Sequence, residues 1–304
     1  MKKVLLTIFI ISAIITSETA GAIYINKEDN LRQETEIYLS GFNQYPPFGW
    51  FEIPLKDENN KRFNTLFMPM LDWLKENGKF KIKSRLNYTD FDELNDGVRE
   101  GEVDFVIGAY YGAKQYKGLQ MVYPAIIYNP ISVFMIPTRK AEVKSFDDLK
   151  KLKGTRIAGE RFTDYVEDNM GQLNIAPSNT PFEAFEKLFT KQADYIIGSY
   201  YNIMLEAIKL GLKQQIAASK QVIWNVPVFI GISKTSEKRE VLSRYLTKYL
   251  SSEKNLATIK NNLKEIIEKF ERQYDGTVPP SFNQTNSPSD NETSEKTDNT
   301  LDAN

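Results

Sequence analysis

The residues best suited to contact a small molecule are aromatic, and several stand close together in the sequence. Tyr45, Phe48 and Trp50 share a short segment whose two prolines restrict the backbone. Two tyrosine pairs, at 110–111 and 200–201, follow other apolar stretches. Aromatic rings offer flat stacking surfaces, and tyrosine adds a hydroxyl that forms hydrogen bonds. This chemistry favours a ring-bearing solute that is neutral or singly charged.

Two residue types that carry much enzyme chemistry are missing, because the chain has no Cys and no His. Disulfides, thiolate metal sites, Cys nucleophiles and Ser-His-Asp triads are therefore excluded. The commonest general base near neutral pH is also missing, although Asp, Glu, Lys and Tyr remain. We expect a binding protein that is not an enzyme and needs no cofactor or metal.

The composition is that of an ordinary globular protein. The 304 residues are 41% hydrophobic and 26% charged, which is enough chain for two lobes. The formal net charge of −1 gives no sign of a basic surface, so we expect no nucleic-acid partner.

The N-terminus predicts export. Lys2 and Lys3 precede an apolar run over 4–15, and the Ala-Gly-Ala at 20–22 offers a cleavage site. We expect cleavage near Ala22, although an uncleaved N-terminal anchor is the alternative. Without a Cys, lipid attachment is excluded, so the sequence predicts a protein of the periplasm that is not lipid-anchored.

Two matching phrases, 101–108 and 191–198, indicate the architecture. Each follows an amphipathic stretch and consists of a turn, an Asp, a short apolar strand and a Gly. We expect Asp104 and Asp194 to be structural residues at strand ends. Two such βα units predict two α/β lobes with a ligand cleft between them.

The pattern of the whole chain divides it into five segments. Apolar strands near 131–136 and 226–232 are expected to connect the lobes, and the last residues are too polar to form a core. The predicted segments are a signal peptide at 1–22, the first part of lobe 1 at 23–130, lobe 2 at 131–228, a return to lobe 1 with C-terminal helices at 229–274, and a disordered polar tail at 275–304.

The order of these motifs resembles one family from about residue 35 to residue 252. The motifs are Tyr45-Pro46-Pro47-Phe48, 101–108, Tyr123-Pro124, 145–154, and Ala193-Asp194 with Gly198. The chain resembles the type II periplasmic solute-binding proteins, of the amino-acid-binding kind (bacterial extracellular solute-binding proteins, family 3). The resemblance implies a periplasmic binding protein-like II fold, with two lobes joined by two hinge strands. It also implies a monomer that delivers a small-molecule ligand to the permease of an ABC importer in the inner membrane.

The residues that hold a zwitterion in this family are changed here. Gln115 stands where members have an Arg for the ligand carboxylate, and Ser199 where they have an Asp for the amino group. Nearby charged residues, Lys114, Arg161 or Asp164, could compensate. The predicted ligand-binding residues are Tyr45, Phe48, Trp50, Tyr110, Gln115, Arg161, Phe162, Thr163, Asp164 and Ser199. Several of these rings could instead belong to the lobe cores.

Two other functions remain open on the same fold. One is a periplasmic sensory or interaction domain that reports a solute to a membrane partner. The other is an enzyme like cyclohexadienyl dehydratase, a relative within the family, for which Glu160, Asp164 or Glu52 could be proposed as the general acid. No motif singles out one of these carboxyl groups.

Overall fold

A computed structural model gives the structure of residues 35–41, 44–52, 62–86, 88, 91–111, 117–139, 143, 145–220 and 222–282. The predicted signal peptide, Lys114, Gln115 and residues 283–304 lie outside this part of the chain. No helix within it is both long and apolar enough to cross a membrane.

Each lobe contains both strands and helices, as the sequence predicts. The strands are β1 (Thr35–Ser40), β2 (Gln44–Tyr45), β3 (Gly49–Glu52), β4 (Arg62–Asn64), β5 (Phe80–Ser84), β6 (Phe105–Tyr110), β7 (Leu119–Met135), β8 (Gly154–Ile157), β9 (Ile175–Ser178), β10 (Tyr195–Ser199), β11 (Ala217–Ala218) and β12 (Trp224–Ser233). The α-helices are α1 (Met68–Gly78), α2 (Phe91–Arg99), α3 (Phe146–Leu149), α4 (Asp164–Met170), α5 (Pro181–Phe189), α6 (Tyr200–Lys209), α7 (Arg239–Leu250) and α8 (Glu253–Gln273).

A large sheet runs through both lobes in the order β5-β1-β6-β12-β7-β10-β8-β9, and β11 also pairs with β7. Three parallel strands lie in lobe 1 (β5, β1, β6) and three in lobe 2 (β10, β8, β9). The long antiparallel pair β7 and β12 joins them. The predicted two-lobe fold with two connecting strands is therefore confirmed. β7 is continuous through 130–131, where the sequence places the boundary between the lobes.

The two Asp residues of the matching phrases make the same contact in the two lobes. Asp104 Oδ2 accepts a hydrogen bond of 2.8 Å from the backbone N–H of Tyr38, and Asp194 Oδ2 accepts one of 2.8 Å from that of Lys153. The N–H of each Asp donates in return to the carbonyl oxygen of the same residue, at 2.9 and 2.7 Å. Both residues thus fix the start of a strand against the neighbouring strand or turn.

The prolines and glycines around residues 44–50 suggest a loop, but this part of the chain contains short strands. β2 and β3 pair in antiparallel fashion, and β4 completes a small three-stranded sheet. The Pro46–Pro47 peptide bond is cis, and the N–H of Phe48 donates to the carbonyl oxygen of Tyr45 at 2.9 Å. This tight turn brings the rings of Tyr45 and Phe48 to the same side of lobe 1.

The beginning of the predicted polar tail packs against lobe 2. The ring of Phe282 stacks parallel to that of Phe189, with centroids 5.0 Å apart, and also contacts Phe182. The preceding helix α8 contacts both α1 of lobe 1 and α6 of lobe 2, and residues 275–282 continue from it along the surface of lobe 2.

Candidate functional site

Side chains from both lobes and from β7 meet at the carboxyl ends of the parallel strands. Tyr110 ends β6 in lobe 1, Ser199 ends β10 in lobe 2, and Glu160 follows β8 in lobe 2. Ligands of open α/β sheets bind at this edge, because the loops there surround a crevice. We refer to this region between the lobes as the cleft.

A hydrogen bond crosses the cleft directly. The hydroxyl of Tyr45, in lobe 1, donates to Oε1 of Glu160, in lobe 2, at 2.5 Å. The same oxygen accepts the backbone N–H of Ser199 at 3.2 Å. Glu160 is only 7% exposed, so its carboxyl group lies between the lobes and away from solvent.

A second chain of hydrogen bonds runs through β7. The amide Nδ2 of Asn129 donates to the hydroxyl oxygen of Tyr110 at 3.0 Å, and the hydroxyl of Ser199 donates to Oδ1 of Asn129 at 2.8 Å. The oxygen of Ser199 also accepts the N–H of Asn202 at 3.3 Å, because Ser199 is the N-cap of α6. Asn129 therefore links the two lobes at the connecting strand.

Aromatic rings surround these polar groups. Tyr110 contacts Phe162 across the cleft, with ring centroids 5.8 Å apart. On the side of lobe 1, Tyr45 stacks on Phe48, also at 5.8 Å. Phe48, Tyr110 and Phe162 are all buried. The wall of the cleft is thus mainly aromatic.

Two arginines lie near Glu160, but neither forms an ion pair with its carboxyl group. Arg156 binds the carboxylate of Glu167 through both guanidinium nitrogens, at 2.9 and 3.2 Å, and also donates to the backbone carbonyl of Glu160. Arg161 is more than half exposed and lies 3.4 Å from Glu167. Glu167 also accepts the N–H of Phe162 at 2.9 Å, which fixes the loop that carries Glu160.

Burial changes the acidity of the cleft residues. It raises the pKa of Glu160 above its ordinary value of 4.5, although the hydrogen bond from Tyr45 and the charge of Arg156 act in the opposite direction. Burial likewise raises the pKa of Tyr45 and of Tyr110, so both hydroxyls keep their protons near neutral pH. The phenol of Tyr45 is therefore a stable donor to Glu160.

Five of the residues predicted from the sequence meet in the cleft, namely Tyr45, Phe48, Tyr110, Phe162 and Ser199.

Four other predicted residues lie beside this group or away from it. Thr163 caps α4 by accepting the N–H of Val166 at 3.3 Å, and Asp164 is the first residue of that helix. Arg161 points largely to solvent. Trp50 packs against Phe270 of α8 within lobe 1, with ring centroids 5.8 Å apart.

Sequence reasoning missed Asn129 and Asn202, and it treated Glu160 only as a candidate acid. One signal was available for Glu160, because it lies in the loop that follows the parallel strand β8, at the edge of the sheet where ligands bind. Asn129 lies in the middle of a long strand, where no local pattern distinguishes it.

The described residues also line an open groove of about 790 Å³ on the surface of α7. Its lining residues are Gln120, Arg239, Glu240, Ser243, Arg244, Thr247, Lys248 and Ser251, and none of them belongs to the cleft. In the described part of the chain, no group of Asp and Glu side chains could hold a metal ion.

Comparison with known proteins identifies the fold. No protein-family profile matches the sequence, and no curated protein matches it. Among solved structures, the chain is similar to an amino acid ABC transporter substrate-binding protein from Streptococcus pneumoniae bound to L-arginine, with 12% identity and a TM-score of 0.61. That match covers 79% of this chain and 97% of the other.

Two further structures have the same architecture. One is the ancestral amino-acid-binding protein AncCDT-1, a precursor of cyclohexadienyl dehydratase, with 15% identity, a TM-score of 0.59, and coverage of 78% of this chain and 97% of the other. The second is a histidine kinase sensor domain similar to periplasmic binding proteins, with 16% identity, a TM-score of 0.56, and coverage of 81% and 99%.

These likenesses define the architecture of the chain as two α/β lobes joined by two connecting strands. The resemblance inferred from the sequence motifs is confirmed at the level of the fold, which is that of the type II periplasmic binding proteins.

Proposed function

We propose that this chain is an exported solute-binding protein that captures a small polar solute in the cleft and delivers it to an ABC importer. One observation carries the proposal: polar and aromatic side chains from both lobes and from a connecting strand converge at the carboxyl ends of the parallel strands. Opening and closing of the lobes would admit the solute and then bury it. Export is supported by the N-terminal sequence.

Thermal unfolding against a solute library tests the binding step. A solute that binds only the folded protein stabilises it by RT ln(1 + [L]/Kd), or about 2.7 kcal/mol at a hundredfold excess over Kd. We expect at least one amino acid, amine or small aromatic solute to raise the melting temperature of the purified chain. If every solute leaves it unchanged, the proposal is wrong.

Uptake of the solute tests the delivery step. Cells that lack the chain should import the identified solute more slowly than cells that carry it, and expression from a plasmid should restore uptake. A solute that binds well but enters both cells at the same rate would contradict a role in import.

A sensory role is the second candidate, and one contact favours it. The hydrogen bond between Tyr45 and Glu160 already joins the lobes through the protein's own side chains. A solute would then change an existing contact between the lobes, and a membrane partner could respond to that change. Binding without any effect on uptake, together with pull-down of a membrane signalling protein, would support this candidate over import.

We propose binding in preference to catalysis. The raised pKa of Glu160 would suit a general acid, so turnover of prephenate and arogenate is the relevant assay. Product formation that Glu160→Gln abolishes would overturn this preference.

A further inference from the structure

Two buried oxygen atoms beside Ser199 still need a hydrogen-bond donor. Oε2 of Glu160 and Oδ1 of Asn202 have no hydrogen-bond partner in the part of the chain that the structure describes. Both residues are more than nine-tenths buried, and both hydrogen-bond to Ser199, Glu160 through its Oε1 and Asn202 through its N–H. An unsatisfied buried acceptor is costly, so a solute that supplies N–H or O–H groups here gains more than one that supplies acceptors.

The carboxyl group of Glu160 lacks a cationic partner among the described side chains. None of the described Lys and Arg side chains forms an ion pair with Glu160, because the nearby Arg156 and Arg161 both pair with Glu167. A carboxylate buried without a paired cation is unfavourable in the free protein and becomes favourable when a cation reaches it. An ammonium group is a cation with up to three donors and no acceptor, and it matches both unsatisfied oxygens.

The aromatic wall suits the same group. Tyr45 and Phe48 stack on the lobe 1 side of the cleft, and Tyr110 of lobe 1 contacts Phe162 of lobe 2 across it. The faces of such rings attract cations and also cover apolar carbon. By contrast, the cleft residues described above offer no free Arg or Lys to a carboxylate.

We propose that the solute of this cleft is an amine cation without a carboxylate, whose ammonium group binds Glu160 and Asn202 and whose carbon skeleton packs on the aromatic rings. This rests on the proposed solute-binding function and names its ligand class. As the lobes part to admit the solute, its ammonium group takes the place of the Tyr45 hydroxyl as donor to Glu160.

The experiment compares solutes that share a skeleton and differ in charge. The binding of 2-phenylethylamine, 3-phenylpropionate and L-phenylalanine to the full chain is measured by isothermal titration calorimetry, with butylamine and choline as further amines. We expect one or more amines to bind, and 2-phenylethylamine to bind at least tenfold more tightly than 3-phenylpropionate and L-phenylalanine.

Two variants test whether Glu160 binds the ammonium group. Glu160→Gln keeps the shape and the acceptor of the side chain but removes its charge, so amine binding should weaken at least tenfold. Glu186→Gln is the matched control, because Glu186 is exposed on α5 of lobe 2 and changes the net charge equally. Its amine affinity should equal that of the unchanged protein. Urea unfolding of each variant checks that it is folded.

The results separate the ligand class from the function. If Glu160→Gln is folded and binds the amine as tightly as the unchanged chain, the amine assignment is wrong. If 3-phenylpropionate or an amino acid binds more tightly than every amine, that assignment is also wrong, while the solute-binding function stands. If none of these solutes and none of the wider library binds, both proposals fail.

Discussion

The matching Asp residues of the two lobes make the same backbone contact, but they should contribute very different amounts of stability. Asp104 has a side chain that is 2% exposed, and it accepts hydrogen bonds from the N–H of Tyr38 at 2.8 Å, the hydroxyl of Ser236 at 2.5 Å and the ammonium of Lys238 at 3.3 Å. Asp194 is exposed and accepts the N–H of Lys153 at 2.8 Å. The two Asp residues thus share the same motif but differ in burial and in the number of hydrogen-bond donors that contact them.

The expected magnitudes follow from these donors. A hydrogen bond to a charged group contributes about 1.5–3 kcal/mol, and a buried donor left without an acceptor costs about as much again. Asp104→Asn retains one acceptor oxygen but turns an NH₂ group towards donors, so we expect a loss of about 3 kcal/mol in the free energy of unfolding. For Asp194→Asn, where water can replace the lost contact, we expect about 1 kcal/mol. Urea denaturation of the two variants measures both values.

Two outcomes would contradict this interpretation of Asp104 and Asp194. If the two variants lose the same free energy, burial and the additional donors do not determine the contribution of this motif. If Asp104→Asn keeps its stability and loses solute binding, Asp104 belongs to the binding site and the structural interpretation is wrong.

Four further changes probe the cleft and the C-terminal segment. Because burial raises the pKa of Glu160, the folded state binds the proton of this carboxyl group more tightly than the unfolded state does. The contribution of Glu160 to stability therefore falls as pH rises above about 4.5. In urea titrations from pH 4 to 8, Glu160→Gln should gain stability relative to the unchanged chain as pH rises. A curve for the variant that stays parallel to the original would contradict the burial argument. Gly198→Ala would place its Cβ 2.5 Å from Oε2 of Glu160, so calorimetry should show weaker solute binding; unchanged affinity would mean that the carboxyl group moves freely. Tyr45→Phe removes the internal donor to Glu160, and amine affinity should rise up to about tenfold; a fall would show that the hydroxyl of Tyr45 binds the solute instead. Phe282→Ala removes the stacking on Phe189 and should lower the free energy of unfolding by about 1 kcal/mol, whereas no loss in urea would mean that this contact does not form in solution.

The fold was predictable because the evidence for it is local and repeated. A βα unit needs only a helix period, a turn, an Asp and a short apolar run, and the phrases at 101–108 and 191–198 contain all but the helix. The sequence also places the start of α3 at Ser145, where Asp148 accepts the N–H of Ser145 at 2.9 Å. Such sequence patterns depend only on residues a few positions apart, so they can be recognised in a single sequence.

The site was only partly predictable, because its contacts join distant parts of the chain. Tyr45 and Glu160 are 115 residues apart, and Asn129 and Ser199 are 70 apart. Trp50 stands in the same aromatic segment of the sequence, but its ring packs against Phe270 of lobe 1. Aromatic composition alone does not show which rings of such a segment face the cleft, because side chains alternate along a strand.

The position of the negative charge connects the changed motif with the ligand class proposed above. In the family that this chain resembles, the acid that holds an amino group stands at the position of Ser199. In the proposed site the acid is Glu160, three residues after the neighbouring parallel strand β8 ends, and the N–H of Ser199 donates to it at 3.2 Å. The cleft thus has one buried carboxyl group close to the position of the family's acid. At the same time, Arg156 and Arg161 both pair with Glu167. A site that keeps an anion and commits its arginines elsewhere selects for a positive group and against a zwitterion.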